Sequence, residues 1–99
     1  MEIKIAKIRL QNNDKPLKAF ADIQLENGWI IKDFRVIQQP GQKAYVVAPQ
    51  ASWRNREGSI NFKTLITIPN GDKWQLESAI LAAYQREKEQ ESGSLARQD

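Results

Sequence analysis

Apolar and polar residues alternate along the first two thirds of this chain, in runs separated by turn-forming residues. The most regular run, 17–26, is apolar at every second position, with Phe20 as an aromatic on the polar side, and this period of two predicts a half-buried strand. Residues 29–38 are apolar on both faces, which predicts a central strand covered on both sides. Asn27-Gly28 between these runs predicts a tight hairpin. Further strands are predicted at 2–11, 43–48 and 62–68.

The first of these runs changes its phase halfway along. Ile3 and Ile5 share one parity, whereas Ile8 and Leu10 share the other. An extra residue in a strand shifts the following side chains to the opposite face. We therefore expect a β-bulge near Ala6 that brings all four side chains onto one face.

The period of two ends at Gly71, and the segment from Asp72 to about Lys88 is rich in helix-forming residues. Asp72 is suited to cap its first turn. One apolar stripe is expected to dock on the sheet: Leu76, Ala79, Ile80, Ala83 and Tyr84. Trp74 and Leu81 lie seven residues apart on a second stripe. One stripe suffices for docking, so we expect these two residues at a dimer or partner interface.

These elements predict a single α+β domain over residues 1–88, with a five-stranded antiparallel β-sheet (a meander) and a C-terminal α-helix packed on one face. Residues 50–61, between the fourth and fifth strands, are polar and are expected to form a loop. The tail, 89–99, has no packing pattern, and we expect it to be frayed or disordered.

The chain contains no cysteine and no histidine. Disulfides, thiolate nucleophiles, zinc–thiolate sites and histidine-dependent triads are therefore excluded. A carboxylate pair or a lysine is the remaining route to catalysis, but the carboxylates are scattered. Asp33 and Arg35, two residues apart on one strand face, are expected to form a structural ion pair. We expect a protein that is not an enzyme and that takes no metal, cofactor or small-molecule substrate.

The composition, 40% hydrophobic and 27% charged over 99 residues, is typical of one globular domain. No apolar run approaches the roughly 20 residues of a transmembrane helix. The opening ten residues, MEIKIAKIRL, lack the uninterrupted apolar stretch of a signal peptide. We expect a cytoplasmic protein with no membrane partner.

The net charge of +3 is unevenly distributed. Residues 1–73 carry twelve Lys and Arg against seven Asp and Glu, whereas residues 74–99 carry three against five. A basic excess on one part of a chain is typical of proteins that bind polyanions, although a solvated surface with extra lysines has the same appearance.

The segment 50–63 contains the most suggestive residues for binding. Trp53 is followed by Arg54 and Arg56, and Lys63 lies at the start of the fifth predicted strand. Arginine contacts phosphate with two parallel hydrogen bonds, and tryptophan stacks on unpaired bases. These four residues are our candidate nucleic-acid contacts. The alternative is a Trp53 that folds back over the sheet beside two solvated arginines.

Several blocks of the sequence resemble the SpoVG family (stage V sporulation protein G, the septation proteins). The blocks are Ile8–Leu10, Lys18–Leu25, Trp29–Ile37, Tyr45–Pro49, Phe62-Lys63 and Ile80–Tyr84. The most specific is Asp33-x-Arg35-Val36-Ile37, followed by the strand end at Pro49. The resemblance covers about residues 1–86.

The resemblance implies a small bacterial cytoplasmic protein of the fold derived above, one that forms homodimers and binds DNA and RNA. Members of the family are implicated in septation, sporulation and gene regulation. This chain departs from the family pattern in four places, one of which is a loop several residues longer after the fourth strand. Lys32 replaces a usual histidine, Gln50-Ala51-Ser52 replaces a basic stretch, and the segment before the helix is shorter but keeps Pro69.

Two functions from different classes follow. The first is a dimeric DNA- or RNA-binding regulator, in which Arg54 and Arg56 of both subunits lie on one face of the dimer together with Lys63. The second is a protein-interaction module of the division machinery that binds no nucleic acid. It predicts an exposed apolar patch at Trp74 and Leu81.

Overall fold

The computed structural model describes the backbone of residues 2–97 and the side chains of residues 2–91. The elements, in chain order, are β1 (Ile3–Leu10), β2 (Leu17–Leu25), β3 (Ile30–Ile37), β4 (Tyr45–Val47), β5 (Gln50–Arg54), β6 (Ile60–Thr64) and α1 (Asn70–Arg97). Strands β1 to β4 form an antiparallel meander, and β5 and β6 form a separate two-stranded sheet. The predicted α+β class is confirmed.

The hairpin between β2 and β3 forms where Asn27-Gly28 predicts it. Gly28 has a φ of +93°, a backbone conformation that residues with a Cβ rarely adopt. Its N–H donates to the carbonyl of Leu25 at 2.8 Å, and the Leu25 N–H donates to the carbonyl of Trp29 at 2.7 Å. These two bonds close the turn and set the register of the two strands.

The predicted bulge in β1 is confirmed. The pairing of β1 with β2 shifts register between Ile5 and Lys7. As a result, the apolar side chains on both sides of the bulge pack against the same core: Ile3, Ile5, Ile8 and Leu10. They do so although Ile5 and Ile8 are separated by an odd number of positions. The extra residue is Ala6, which the bulge leaves exposed.

The helix covers one face of the four-stranded sheet with the stripe that the sequence predicts. Leu76, Ile80, Ala83 and Tyr84 are buried against a sheet surface formed by Ala19, Ala21, Ile23, Phe34 and Val36. Full burial of one such large apolar side chain contributes about 1.5–3 kcal/mol. Packing of this stripe therefore holds the helix on the sheet.

The helix begins earlier and ends later than predicted. It starts at Asn70, two residues before Asp72, and the Lys73 N–H donates to the carbonyl of Pro69 at 2.8 Å. It continues past Lys88 to Arg97. Residues 98 and 99 of the tail predicted to be frayed lie outside the described residues, as do the side chains that follow Glu91.

The strand count of the main sheet is four, not five. The segment predicted as a loop, 50–61, contains β5, and the fifth predicted strand is displaced to Ile60–Thr64, where it pairs with β5 alone. The turn between them is built by Asn55. Its side-chain oxygen accepts from the N–H groups of Glu57 and Ser59, each at 3.0 Å, and its own N–H donates to the Ser59 carbonyl at 2.9 Å. Local turn bonds thus create a hairpin in a polar segment without alternation. We call residues 50–64 the arm.

Candidate nucleic-acid interface

The arm carries all four candidate contacts, but its register divides them between two faces. Trp53 pairs with Asn61, and Lys63 pairs with Ala51. Residues directly opposite each other in a sheet share a face, and faces alternate along a strand. Trp53 and Lys63 therefore lie on one face of the arm. Arg54, opposite Ile60, lies on the other, and Arg56 lies in the turn at the tip.

The cations of the arm are open to solvent. Arg54, Arg56 and Lys63 are exposed, and their side chains make no hydrogen bond or ion pair with any residue that the structure describes. Glu57 is the single acidic residue of the arm, so its net charge is +2. An anion that binds here displaces no existing salt bridge.

Trp53 is half exposed, with 50% of its surface accessible, and it lies on the arm. It is not among the side chains that pack against the core of the main sheet, so the alternative in which it folds back over that core is not seen. With Lys63 on the same face, it presents an aromatic ring beside a cation. Bases of a single strand stack on such rings, whereas their phosphates are attracted by the neighbouring charge.

The second face of the arm is apolar. Ile60 and Phe62 are 56% and 61% exposed, and both lie on the face that carries Arg54. Leu65, directly after β6, is 58% exposed, and its N–H donates to the carbonyl of Pro49 at 3.2 Å. A lone two-stranded hairpin with an apolar face has marginal stability in water, so this face is suited to contact with a further protein surface.

The two residues predicted at a dimer or partner interface have different environments. Trp74 is 76% exposed near the start of the helix, whereas Leu81 is half-buried and packs against the core. Leu81 is therefore engaged within the subunit, and Trp74 alone remains available to a partner. The helix thus packs on the sheet with Leu81 of the second stripe as well as with the first stripe.

The sequence does not reveal an ion-pair cluster that connects three strands of the main sheet. The Arg9 Nη1 and Nη2 atoms lie 2.8 and 3.1 Å from the two carboxylate oxygens of Asp22, and Nη2 lies 2.9 Å from Oδ1 of Asp33. The Asp33 N–H donates to Asp22 Oδ1 at 3.1 Å. The hydrogen bond from Arg9 has the largest effect on the pKa of the buried Asp22 carboxyl, and together with the bond from the Asp33 N–H it holds that pKa below its usual range. Burial alone would raise the pKa.

The predicted ion pair between Asp33 and Arg35 is wrong. The pairing of β2 with β3 shifts register between Ala21 and Ile23, and Asp33 there has a φ of +69°. This bulge directs the Asp33 carboxylate to Arg9, two strands away. Neither the bulge nor the cross-strand partner can be read from the spacing of two residues on one strand.

Between residues 2 and 97, no group of three or more acidic, cysteine or histidine side chains is arranged to hold a metal ion. Within the same residues, no helix has the length and apolar character needed to cross a membrane.

Comparison with known proteins places the chain in a family. The SpoVG family model matches residues 1–86. Two relatives, from Thermoanaerobacter sp. (strain X514) and Thermoanaerobacter pseudethanolicus, each bear the name "Putative septation protein SpoVG". Each is 33% identical over 93 residues, which cover 93% of this chain and 96% of the relative. The resemblance noted in the strand blocks is thereby confirmed, and the chain belongs to the SpoVG family.

Proposed function

We propose that this protein is a dimeric regulator of septation, of the SpoVG type, that binds DNA or RNA through its arm. The observation that carries the proposal is the arm itself, which carries three cations without an ion pair to any described residue and a half-exposed Trp53, with Lys63 on the face of the ring. The names of the relatives support the septation role.

The binding follows from electrostatics. Each phosphate that a lysine or arginine neutralises releases a condensed counterion, so log affinity falls against log salt with a slope of about −0.9 per duplex contact. Two arginines in each of two subunits give about four such contacts. Stacking of one base on Trp53 adds about 1–3 kcal/mol on single strands, because bases in a duplex already stack on each other.

Dimerisation is supported by the apolar face of the arm. Ile60 and Phe62 are exposed on it, and an apolar cavity of about 470 Å³ lies between β4, the chain after the arm and the start of the helix. Val46, Ile68 and Leu76 line this cavity. A second copy that seats Phe62 of its arm there would cover both apolar surfaces reciprocally, as a two-fold dimer requires, and would leave Arg54, at the tip end of that face, to contact phosphate. A stable interface buries about 800 Å² per partner.

Fluorescence anisotropy at several salt concentrations tests nucleic-acid binding. The double variant Arg54→Gln/Arg56→Gln is expected to flatten the salt slope on duplex DNA by roughly two to four. The matched control is Lys15→Gln/Arg86→Gln, which removes the same charge from exposed positions outside the arm. If the arm variant binds as the parent does, the arm is not the site.

Light scattering tests the dimer. The parent is expected at twice the mass of the chain, and Phe62→Asp is expected to produce monomers because it places a charge in the apolar contact. Trp29→Asp, at a still more exposed aromatic outside the arm, is the control and is expected to remain dimeric. A monomeric parent at micromolar concentration contradicts this part of the proposal.

The exposure of Trp74 favours a second function, that of an interaction module of the division machinery without nucleic-acid binding. The two functions differ in cells. Septum placement in a deletion strain, complemented with Arg54→Gln/Arg56→Gln or with Trp74→Ala, separates them. Failure of the arm variant alone supports the regulator, and failure of the Trp74 variant alone supports the module.

A further inference from the structure

The face of the four-stranded sheet that the helix leaves open carries a row of alternating cations and apolar side chains. Arg9, Phe20, Arg35 and Val47 are direct cross-strand partners, one from each of β1 to β4. Core residues such as Ala21 and Val36 alternate with them and face the helix. The prediction that β3 is covered on both sides is therefore wrong for this face, where Arg35 remains half-exposed.

A second, apolar row lies beside the first. Leu17 pairs with Ile37, and Ile37 pairs with Tyr45. Tyr45 is 48% exposed on the edge strand β4, whereas Leu17 and Ile37 are half-exposed. Adjacent strands are about 4.8 Å apart, so the rings of Phe20 on β2 and Tyr45 on β4 belong to strands about 10 Å apart. The open face thus presents two aromatic side chains on an apolar surface.

The charges on this face are only partly compensated. Arg9 is held by Asp22 and Asp33, and its guanidinium carbon lies 5.9 Å from the centre of the Phe20 ring. Arg35, on the other side of Phe20, makes no side-chain hydrogen bond or ion pair with any described residue. Lys7 is exposed opposite Asp22. The face therefore carries three cations, Arg9, Arg35 and Lys7, against two carboxylates, and the net charge of these five groups is +1.

We infer that this open face binds the unpaired bases of single-stranded DNA or RNA, with Tyr45 and Phe20 as stacking surfaces and Arg35 as the phosphate contact. The inference rests on the proposed nucleic-acid function. It gives the protein a second binding surface besides the arm, one that selects single strands over duplexes. Aromatic side chains on a sheet stack with splayed bases, and every base has a π-face. Duplex DNA gains little here, because its bases are already stacked.

Charge favours nucleic acid over a second copy as the occupant. A two-fold contact places the same patch of both subunits face to face. On this face it would bury the net positive charge of Arg9, Arg35 and Lys7 against Asp22 and Asp33 from both copies, and burial of uncompensated like charge is unfavourable. A phosphate backbone supplies the missing anions.

The test compares single strands of roughly 15 nucleotides, as DNA and as RNA of the same sequence, with the matching duplex DNA. Tyr45→Leu retains an apolar side chain but removes the ring, and it is expected to weaken single-strand binding by about 5- to 150-fold. Tyr45→Phe retains the ring and is expected to bind as the parent does. Trp29→Leu, which removes an exposed aromatic in the turn between β2 and β3, is the matched control.

Arg35→Gln is expected to flatten the salt slope on single strands by about 0.7 per contact and to leave duplex binding unchanged. In contrast, the arm variant Arg54→Gln/Arg56→Gln weakens binding to both. If Tyr45→Leu and Arg35→Gln bind single strands as the parent does, while the arm variant does not, the inference fails and the proposed function stands. If the parent binds no strand of either kind at low salt, both fail. A loss of dimer mass in Arg35→Gln, whose side chain does not line the cavity beside β4, shows that a second copy occupies the face, and this overturns the inference.

Discussion

The four-stranded sheet and the arm are both antiparallel and both end in turns that need a left-handed residue, but they are stabilised in different ways. The main sheet has one face buried under the helix, with Phe34, Val36 and Ile80 fully inaccessible. The arm buries no large apolar residue, and its Ile60 and Phe62 are exposed. Burial of apolar surface holds the first region, whereas the second depends on its ladder and on the bonds of Asn55. A fold can therefore contain a region that is stable by itself and one that is suited to be completed by a partner.

The largest effect is expected from Phe34→Ala, which removes a fully buried ring. Loss of transfer free energy and the cavity left behind are expected to lower the free energy of unfolding by about 3–5 kcal/mol. Urea denaturation followed by tryptophan fluorescence measures this. Trp29→Ala, at a 70% exposed position, is the control, and a change within about 0.5 kcal/mol is expected. Equal losses in the two variants would show that burial does not dominate the stability of the sheet.

Asp22→Asn tests the ion-pair cluster of the sheet. Arg9 and the Asp33 N–H lower the pKa of Asp22 in the folded protein, so the ionised carboxylate stabilises the fold at pH values above its unfolded pKa of about 3.9. That stability is lost as the pH falls from about 4 through the lowered pKa. The variant is expected to be less stable than the parent at pH 7. Its stability is also expected to fall less between pH 7 and acid pH, because the contribution of this carboxylate is already absent.

The measurement is thermal unfolding between about pH 2 and pH 7, compared for Asp22→Asn and for the exposed Asp14→Asn. A parent and an Asp22→Asn variant with parallel pH profiles would contradict the lowered pKa. The arm has no buried carboxylate, so amide exchange within it is expected to show no such dependence on the ionisation of Asp22.

A smaller and local effect is expected from Gly58→Ala in the turn of the arm. Gly58 has a φ of +87°, and no atom lies within 4 Å of a Cβ placed there. The strain is therefore purely conformational, of about 1 kcal/mol. Hydrogen exchange of the β5 and β6 amides is expected to accelerate, whereas exchange in β2 and β3 stays unchanged. Gly71→Ala, also in open space but within the helix, is expected to be neutral or slightly stabilising.

The smallest effect on stability is expected from Trp74→Ala. Because 76% of the surface of Trp74 is exposed, removal of its ring is expected to change the free energy of unfolding by no more than about 0.5 kcal/mol. Leu81→Ala, seven residues later, is expected to cost clearly more because Leu81 packs against the core. Chemical denaturation of both variants shows whether the two residues belong to one surface, as the sequence indicates, or to two, as the structure indicates.

The main sheet is predictable from the sequence because its elements repeat an apolar pattern. Even the bulge at Ala6 follows from it, since only an extra residue reconciles Ile5 with Ile8. The arm is not predictable in the same way, because β5 has one large apolar residue, Trp53, and no alternation. The local feature that indicates a hairpin here is Asn55, whose side chain bonds to the backbone of the turn. That feature predicts a hairpin only when it is considered together with the strand that follows it.

The candidate site was only partly accessible to sequence reasoning. Trp53, Arg54 and Arg56 are adjacent in the chain, but adjacency does not reveal that Trp53 and Arg54 point to opposite faces. Similarly, the Arg9–Asp22 pair and the row that contains Phe20 and Arg35 depend on cross-strand register. Register is set by turns and bulges together, and a displacement of one residue exchanges the two faces of a strand.

The bulge in β1 has a consequence for how copies of this protein meet. β1 is an outer strand of the main sheet, and eight regular residues there would be a template for edge-to-edge aggregation. The extra residue at Ala6 interrupts that template in the middle, and the exposed Lys4 and Lys7 on either side add charge. The opposite edge, β4, has only three residues. The main sheet is thus protected against open-ended growth at both edges, which leaves the arm as the place where association can be specific and closed.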